Sequence, residues 1–530
     1  MSYYKDIREF ISELERQGRL VRVRMRVNKD TELMPLVRLQ FRGLPESERR
    51  GFLFENLIDS KGRRYNGSCA TSLLGSVYNY AIGLRCDPGE IRERWIKALE
   101  EPIEPKIVSW GPCKEEVHKG SDLERHGGLL EFPIPISTPG FDAAPFLTAP
   151  CWVTKDPETG IRNVGTYRAM IKGPTKTAIQ LFVSQHEGIH WSKLRSLGKE
   201  SMEAAISISP VPAVLMTSVA KIPYGLDEFA VSGGLVGEPI ELIKCETVDL
   251  EVPATSEIVI EGEITTKYFE PEGPFGEYLG YMGKRTSHPV FKVKCITHRK
   301  DPIYYGFISQ MPPSESSVIR AQCYEPILYK FLREHCNLPT VLDVAFPQIG
   351  QDRVCVVKIK KLNQSQPWQA LNGVSAFDPV IGKVVICVDD DINPRDIESV
   401  LWAIYTRAMP HLDIRITANK YALLDPSAAP PTAPDEEQRY PSPRGVSAIL
   451  IDATRKWPYP PVSLPKKEFM ERALELWTEL NLPKLQLREP WYGYDLGYWP
   501  DEWDTDAQLA IRGEYLEVAK RCESRATTAT

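Results

Sequence analysis

The apolar positions near the N-terminus follow two periods in succession. Tyr4, Ile7, Phe10, Ile11 and Leu14 recur at three- and four-residue steps, which predicts a helix with one buried face, closed by Gly18. The next run, VRVRMRV, alternates. Val21, Val23, Met25 and Val27 are expected to face a core, and Arg22, Arg24 and Arg26 solvent, in a half-buried strand. Residues 88–99 (PGEIRERWIKAL) return to helical spacing and end in the proline-bearing EPIEPK. Together these predict a mixed α/β unit over residues 1–110.

From about 110 to 310 the pattern becomes many short β-type runs: CWVTKD, RAMIKG, AIQLFVS, AVLMTSVA, EIVIEGEI and FKVKCITH. Separated by Gly/Pro turns, they predict a barrel or sandwich with few helices interposed. After 315 a long helical run (VIRAQCYEPILYKFLREH) alternates with the strands RVCVVKIKK and KVVICVDD, the α/β signature again. Residues 426–443 carry Pro426, Pro430, Pro431, Pro434, Pro441 and Pro443, and read equally well as an ordered cover over a cleft or a loose surface loop. Ser463 and Pro465 open a helix with Phe469, Ala473 and Trp477 on one face. The tail WYGYDLGYWPDEW is too aromatic to stay in water and is expected to dock on the body or on another subunit. The division expected is 1–110, 111–315, 316–462 and 463–530, within an α/β (α+β) fold class.

A chain of 530 residues exceeds what one hydrophobic core serves. With 42% hydrophobic and 26% charged residues it has the composition of a soluble globular protein, and a net charge of -6 argues against a dedicated nucleic-acid binder. The eleven cysteines form no CxxC pair and read as reduced thiols. The N-terminus lacks the basic start and apolar core of a signal peptide, and no run approaches the roughly 18 apolar residues of a membrane span. A cytoplasmic protein with no nucleic-acid or membrane partner is expected.

Histidine is scarce, eight in the chain, so each one among polar residues is informative. His186 and His190 form a HxxxH pair in LFVSQHEGIHW, without the helix-borne HExxH of a zinc protease. Alone, His186 reads as a structural histidine. Asn163 and Arg168 in RNVGTYRAMI, and Glu228 after PYGLD, read singly as a turn cap, a surface arginine and a solvated acid. No Walker loop, GxGxxG fingerprint or GxSxG elbow occurs, and GLVGEP at 234–239 lacks the lysine of a phosphate loop. Asp389, Asp390 and Asp391 read as a solvated strand end before a helix that starts near Pro394.

The stretch PEGPFGEYLG at 271–280 holds two glutamates in a Gly/Pro knot that reads as neither helix nor regular strand. Glu272 and Glu277 are five apart, about 500° around a helix, and would lie on opposite faces of a strand. Only a bent loop aims both carboxylates at one point, and Gly273, Pro274 and Gly276 supply the bend.

In order along the chain, these residues resemble the site residues of the UbiD-like decarboxylases, which use prenylated FMN. That family's Asn and Arg five apart match Asn163 and Arg168. Its His, 23 positions after the Asn, matches His186, its Glu after a PYG-type stretch matches Glu228, and its E-x4-E pair matches Glu272 and Glu277. The resemblance implies that the middle of the chain is a split β-barrel of flavin-reductase type, followed by a C-terminal α/β domain and a helical oligomerisation segment. It implies that Asn163, His186 and Glu228 hold a divalent ion (Mn2+, or Mg2+ or Fe2+) on the cofactor phosphate, a donor set that suits such ions. Arg168, Gln185, Ser218 and Lys383 are implied cofactor neighbours, with a K+ beside Ser218. Glu277 is implied as proton donor, with Glu272 as its partner and Arg168 bridging them. A dry pocket and a second acid would raise the donor's pKa.

The activity implied is a reversible non-oxidative decarboxylation of an aromatic, heteroaromatic or α,β-unsaturated acid, with a separate flavin prenyltransferase supplying the cofactor. The protein is expected to form a homo-oligomer, a dimer or a hexamer. An aromatic CoA thioester such as phthaloyl-CoA is the alternative substrate. A flavin-binding oxidoreductase on the same barrel is the alternative of another class.

Overall fold

The structure is a computed structural model that describes residues 2–525 except 419, 422, 431 and 434–445. The first helical period folds as Ile7–Arg16, where Asp6 caps the Glu9 amide, Ile7, Phe10, Ile11 and Leu14 are buried, and Gly18 turns the chain at φ +67°. The alternating run that follows is a strand only over Leu20–Val23, paired in parallel with Gly51–Phe54. Its alternation does not continue: Met25 is 72% exposed, because the chain leaves the ladder after Val23 and re-pairs at Val27–Asn28 with Leu57–Ile58. Arg22 lies against Glu15 and Glu55. The strand Ile303–Tyr305 returns from beyond the barrel to complete this first sheet beside Ser68–Thr71.

The middle of the chain forms a curled nine-stranded antiparallel sheet, a half-barrel. At its centre are the two longest strands, Ile258–Glu272 and Thr286–His298, flanked by Ser201–Ile208 and Lys176–Ile179. Inward-facing side chains, among them Trp152 set edge-on to Phe291 with centroids 5.0 Å apart, fill its concave side. Two runs expected as strands differ. AVLMTSVA folds as the helix Pro212–Thr217, with Pro212 in its first turn and every residue buried, so its continuous apolarity reflects burial on all sides rather than a strand. AIQLFVS is strand only to Ile179; its second half leads as a loop into the helix His186–Ser196. PEGPFGEYLG also begins differently from expectation. Pro271 and Glu272 are the last residues of the strand Ile258–Glu272, paired with Ser287 and Thr286, and Phe275–Gly276 pairs with Met282–Gly283. The ladder is irregular between Ile264 and Phe269 and runs in step from there through Pro271 to Glu272.

Beyond the long helix Glu315–Lys330 lies a five-stranded sheet ordered Val341–Ala345, Val354–Ile359, Val384–Asp389, Ala448–Ala453, Ile414–Thr417. Its inner three strands are parallel, and the helix Gln366–Phe377 crosses between two of them. Asp389 and Asp391 are not solvated as expected: Arg407 binds both, at 2.8 and 2.7 Å, and Asp389 is buried. The helix after them starts at Ile397 under an Asp396 cap. The expected helix after Pro465 runs Lys467–Glu479 and leaves Phe469 and Trp477 exposed, so its apolar face has no cover among the described residues. Most of the proline-rich 426–443 stretch, including Pro431, Pro434, Pro441 and Pro443, lies outside the described residues. All eleven cysteines are unpaired. Among the described residues no helix is long and apolar enough to cross a membrane.

Gly262 leaves room for a close approach of the partner strand's backbone. The ladder shifts register beside it, and a Cβ there would lie 2.0 Å from the Lys292 carbonyl oxygen. Gly262→Ala is therefore expected to destabilise the fold by about 1–3 kcal/mol, read as a lower urea midpoint at unchanged slope.

Candidate active site

Arg168 stands in the short turn between the strands Arg162–Thr166 and Ala169–Gly173, where Gln180 N–H holds its carbonyl at 3.2 Å. Its guanidinium forks onto Glu272, with Nε to Oε1 at 3.1 Å and Nη2 to Oε2 at 2.7 Å, and its remaining Nη1 donates to Glu277. Glu272 is fully buried, and Glu277 and Arg168 nearly so. The two carboxylates therefore meet at one cation although their spacing fits neither helix nor strand. Glu272 is fixed by the end of its strand. Glu277 is swung back by a tight turn in which Gly280 N–H reaches the Glu277 carbonyl at 3.0 Å and Glu277 N–H reaches that of Tyr281 at 2.9 Å.

Asp142 braces this loop by accepting the amides of Gly276 and Thr138, at 3.0 and 2.6 Å. Phe275 lies under the Arg168 guanidinium, 5.1 Å from its centroid. Arg168 and Glu277 line a cavity of about 170 Å³, walled by Phe182, Leu279, Met282 and Leu423.

A second group sits on a neighbouring, larger cavity of about 590 Å³. His186 and Glu228 are the first residues of the helices His186–Ser196 and Glu228–Val236, and Asn163 lies in the adjoining strand. Helix N-termini present unpaired amides and a positive dipole end, a setting for an anionic group. His186 Nδ1 is 3.8 Å from Glu228 Oε1, while the other Glu228 oxygen takes the Val164 amide at 2.8 Å. Burial pushes the Glu228 carboxyl up, opposed by the nearby His186 imidazole and the Val164 amide. Asn163 Nδ2 and Gln185 Oε1 are buried without a hydrogen-bond partner. An imidazole nitrogen, a carboxylate and an amide side chain converge here with unsatisfied capacity, a fit for a hard-to-borderline divalent ion. Ser218 lines the same cavity, its hydroxyl 2.8 Å from that of Thr166.

Lys383 is not brought to this group. Its ammonium is held by Asp425 at 2.6 Å and Ser427 at 2.5 Å, and it lines neither cavity. The larger cavity instead presents Lys221, paired with Asp378 at 3.0 Å, and Arg320, whose guanidinium packs on the Tyr278 ring at 3.8 Å. Sequence reasoning passed over both. The available signal for Arg320 was a lone cation among the buried positions of VIRAQCYEPIL. Nor do His186 and His190 act as a pair: His190 is buried and shares a 3.0 Å hydrogen bond with the Thr154 hydroxyl.

Residues 106–312 match the family described as 3-octaprenyl-4-hydroxybenzoate carboxy-lyase Rift-related domain (UbiD), and residues 318–453 its C-terminal domain. An uncharacterised protein of Archaeoglobus fulgidus is 31% identical over 476 residues, 86% of this chain and 92% of that one. Among solved structures, the UbiD-class enzyme HmfF from Pelotomaculum thermopropionicum in complex with FMN is 31% identical (TM-score 0.73), covering 85% of this chain and 94% of that one. An evolved dimeric form of the same enzyme, in complex with prFMN, is 29% identical with a TM-score of 0.72 over 91% of this chain and 97% of that one. The vanillic acid decarboxylase of Sedimentibacter hydroxybenzoicus, in closed form, is 26% identical with a TM-score of 0.76, over 96% of this chain and all of that one.

The buried His190 makes a prediction on pH. Burial pushes its imidazole down to about 4, whereas the unfolded histidine takes up a proton near its ordinary value of about 6.5. Between those values the unfolded chain binds more protons, so stability falls as pH drops through that window, by up to ~3 kcal/mol. Urea midpoints from pH 7 to 4 are expected to fall less steeply in His190→Asn than in the parent chain.

Proposed function

This chain belongs to the UbiD family of prenylated-FMN-dependent carboxy-lyases, and from that premise we propose that it reversibly and non-oxidatively decarboxylates a small aromatic, heteroaromatic or α,β-unsaturated acid. The observation that carries this reading is the Arg168 guanidinium gripping both Glu272 and Glu277 at the wall of a small cavity. One cation faces two buried carboxyl groups, so the set is charge-balanced when one acid keeps its proton. Glu272, gripped by two guanidinium nitrogens, is the partner that stays ionised. Glu277, held by one nitrogen and lining the cavity, is the acid that delivers a proton to the carbon that has lost CO2.

Asn163, His186 and Glu228 would hold a divalent ion (Mn2+, Mg2+ or Fe2+), with Gln185 beside them and Ser218 as a ligand of K+, and through these ions the cofactor phosphate. When bound, the prenylated flavin supplies the electron sink for the loss of CO2. The chain's own contribution is to exclude water from the cavity, orient the acid and place the proton. Lys383 reaches the cofactor only if its ion pair with Asp425 opens.

The volume of about 170 Å³ and the apolar walls favour a free acid over a CoA thioester, whose nucleotide would need an open basic cleft. A vanillic acid decarboxylase among the similar structures supports the aromatic class. A separate flavin prenyltransferase would supply the cofactor. The exposed Tyr498, Trp499 and Trp503 of the C-terminal segment support a homo-oligomer.

Purification after co-expression with a flavin prenyltransferase, followed by a CO2-release screen of aromatic acids and their CoA esters, tests the reading. Glu277→Gln is expected to lose decarboxylation by at least about 10²-fold while keeping the flavin absorbance of the parent, and full activity in this variant would end the assignment. Asn163→Ala, His186→Ala and Glu228→Ala are expected instead to lose flavin and divalent metal together, measured by absorbance and elemental analysis.

A further inference from the structure

Residues 116–131 add the strand Glu116–Lys119 to the end of the strand Thr286–His298 and then turn back over it. His118 lies in the strand Glu116–Lys119 opposite Ile296, His298 ends the partner strand, and Glu131 closes the turn Gly128–Glu131. One ligand atom from each of His118, Glu131 and His298 lies within 4.8 Å of the other two. Both imidazoles are 6% exposed, and His118 Nδ1, Glu131 Oε2 and His298 Nε2 are all buried without a hydrogen-bond partner. His298 Nδ1 is 2.8 Å from the Arg299 carbonyl, which fixes a proton on that nitrogen and leaves Nε2 with its lone pair turned to the cluster.

The separations discriminate between an ion-pair knot and a ligand set. His118 Nδ1 is 3.3 Å from Glu131 Oε2, and His298 Nε2 is 3.6 Å from Glu131 Oε1. A charge-assisted hydrogen bond closes to about 2.7–2.9 Å. Two ligands on a tetrahedral ion, with bonds of about 2.0–2.1 Å, stand about 3.4 Å apart. Both histidine–carboxylate separations therefore match donors around a common centre rather than closed ion pairs, and all three ligand atoms lie within 4.8 Å of one another.

We propose that His118, Glu131 and His298 form a second metal site, taking a divalent transition ion of the Zn2+ type with water in the fourth position. None of the three residues lines either cavity of the candidate active site. The ion's role is to clamp the 116–131 excursion to the strand end. The exposed His126, stacked on the His118 ring with centroids 3.9 Å apart, packs beside the site and is not one of its ligands.

The test uses the full chain carrying His186→Ala, which silences the other metal-binding group. After chelation the protein is dialysed against Zn2+, zinc per chain is measured by elemental analysis, and X-ray absorption is recorded at the zinc edge. The expected result is about one zinc per chain with imidazole scattering and a raised melting temperature. His118→Gln and His298→Gln are expected to lose this zinc, and His126→Ala to keep it. Glu131→Gln, at the more exposed corner, is read if the histidine variants fail to fold, and is expected to bind zinc at least about tenfold more weakly. A parent chain that retains no zinc, a zinc edge without imidazole ligands, or equal zinc affinity in the parent and the folded variants would each overturn the proposal.

Discussion

One buried guanidinium organises the candidate active site. Arg168 makes three hydrogen bonds to two carboxylates that would otherwise be stranded in a dry interior, and removal of one partner from such a set costs about 3–5 kcal/mol. The surrounding fold therefore has to bring three segments distant in sequence to one point with little positional error. The central antiparallel ladder brings Glu272 to its end, a shorter hairpin sets Arg168 opposite, and Asp142 braces the turn that returns Glu277. Two of these supports are backbone ladders and the third is a carboxylate on backbone amides, so the positions hold without large side chains in the loop.

The half-barrel also gathers an amide, an imidazole and a carboxylate on the larger cavity, next to the smaller one. Asn163 comes from a strand, while His186 and Glu228 come from the starts of two helices, so the donors and the unpaired amides of the helix ends face the same space. The carboxyl of Glu228, pushed up by burial, shows the electrostatic demand of this arrangement: a buried acid with one imidazole nearby is incompletely compensated. The second cluster, at His118, Glu131 and His298, obeys the same physics at the far end of the long strand.

The C-terminal segment poses the opposite problem. Its helices bury almost nothing within the chain, and Phe469, Trp477 and Trp503 are presented to solvent. A core elsewhere in the chain cannot stabilise such helices, since isolated helices of this length are marginal in water.

Periodicity sufficed for the first helix, the α/β alternation after residue 315 and the strand-rich middle, because each buries one face at a regular step. It failed where burial is on all sides, since AVLMT, buried throughout, is a helix, and where a ladder stops early, since Met25 falls outside a strand that ends at Val23. The order of Asn163, Arg168, His186, Glu228, Glu272 and Glu277 by itself determined the family resemblance and the residues to examine. That Glu272 and Glu277 share one guanidinium was only allowed by their spacing; the strand end and the Gly280 turn decided it. Lys383 went to Asp425, and His118, Glu131 and His298 came together, for one physical reason. Side-chain convergence depends on which strands pair and in what register, and register is a property of the folded sheet, not of any local stretch.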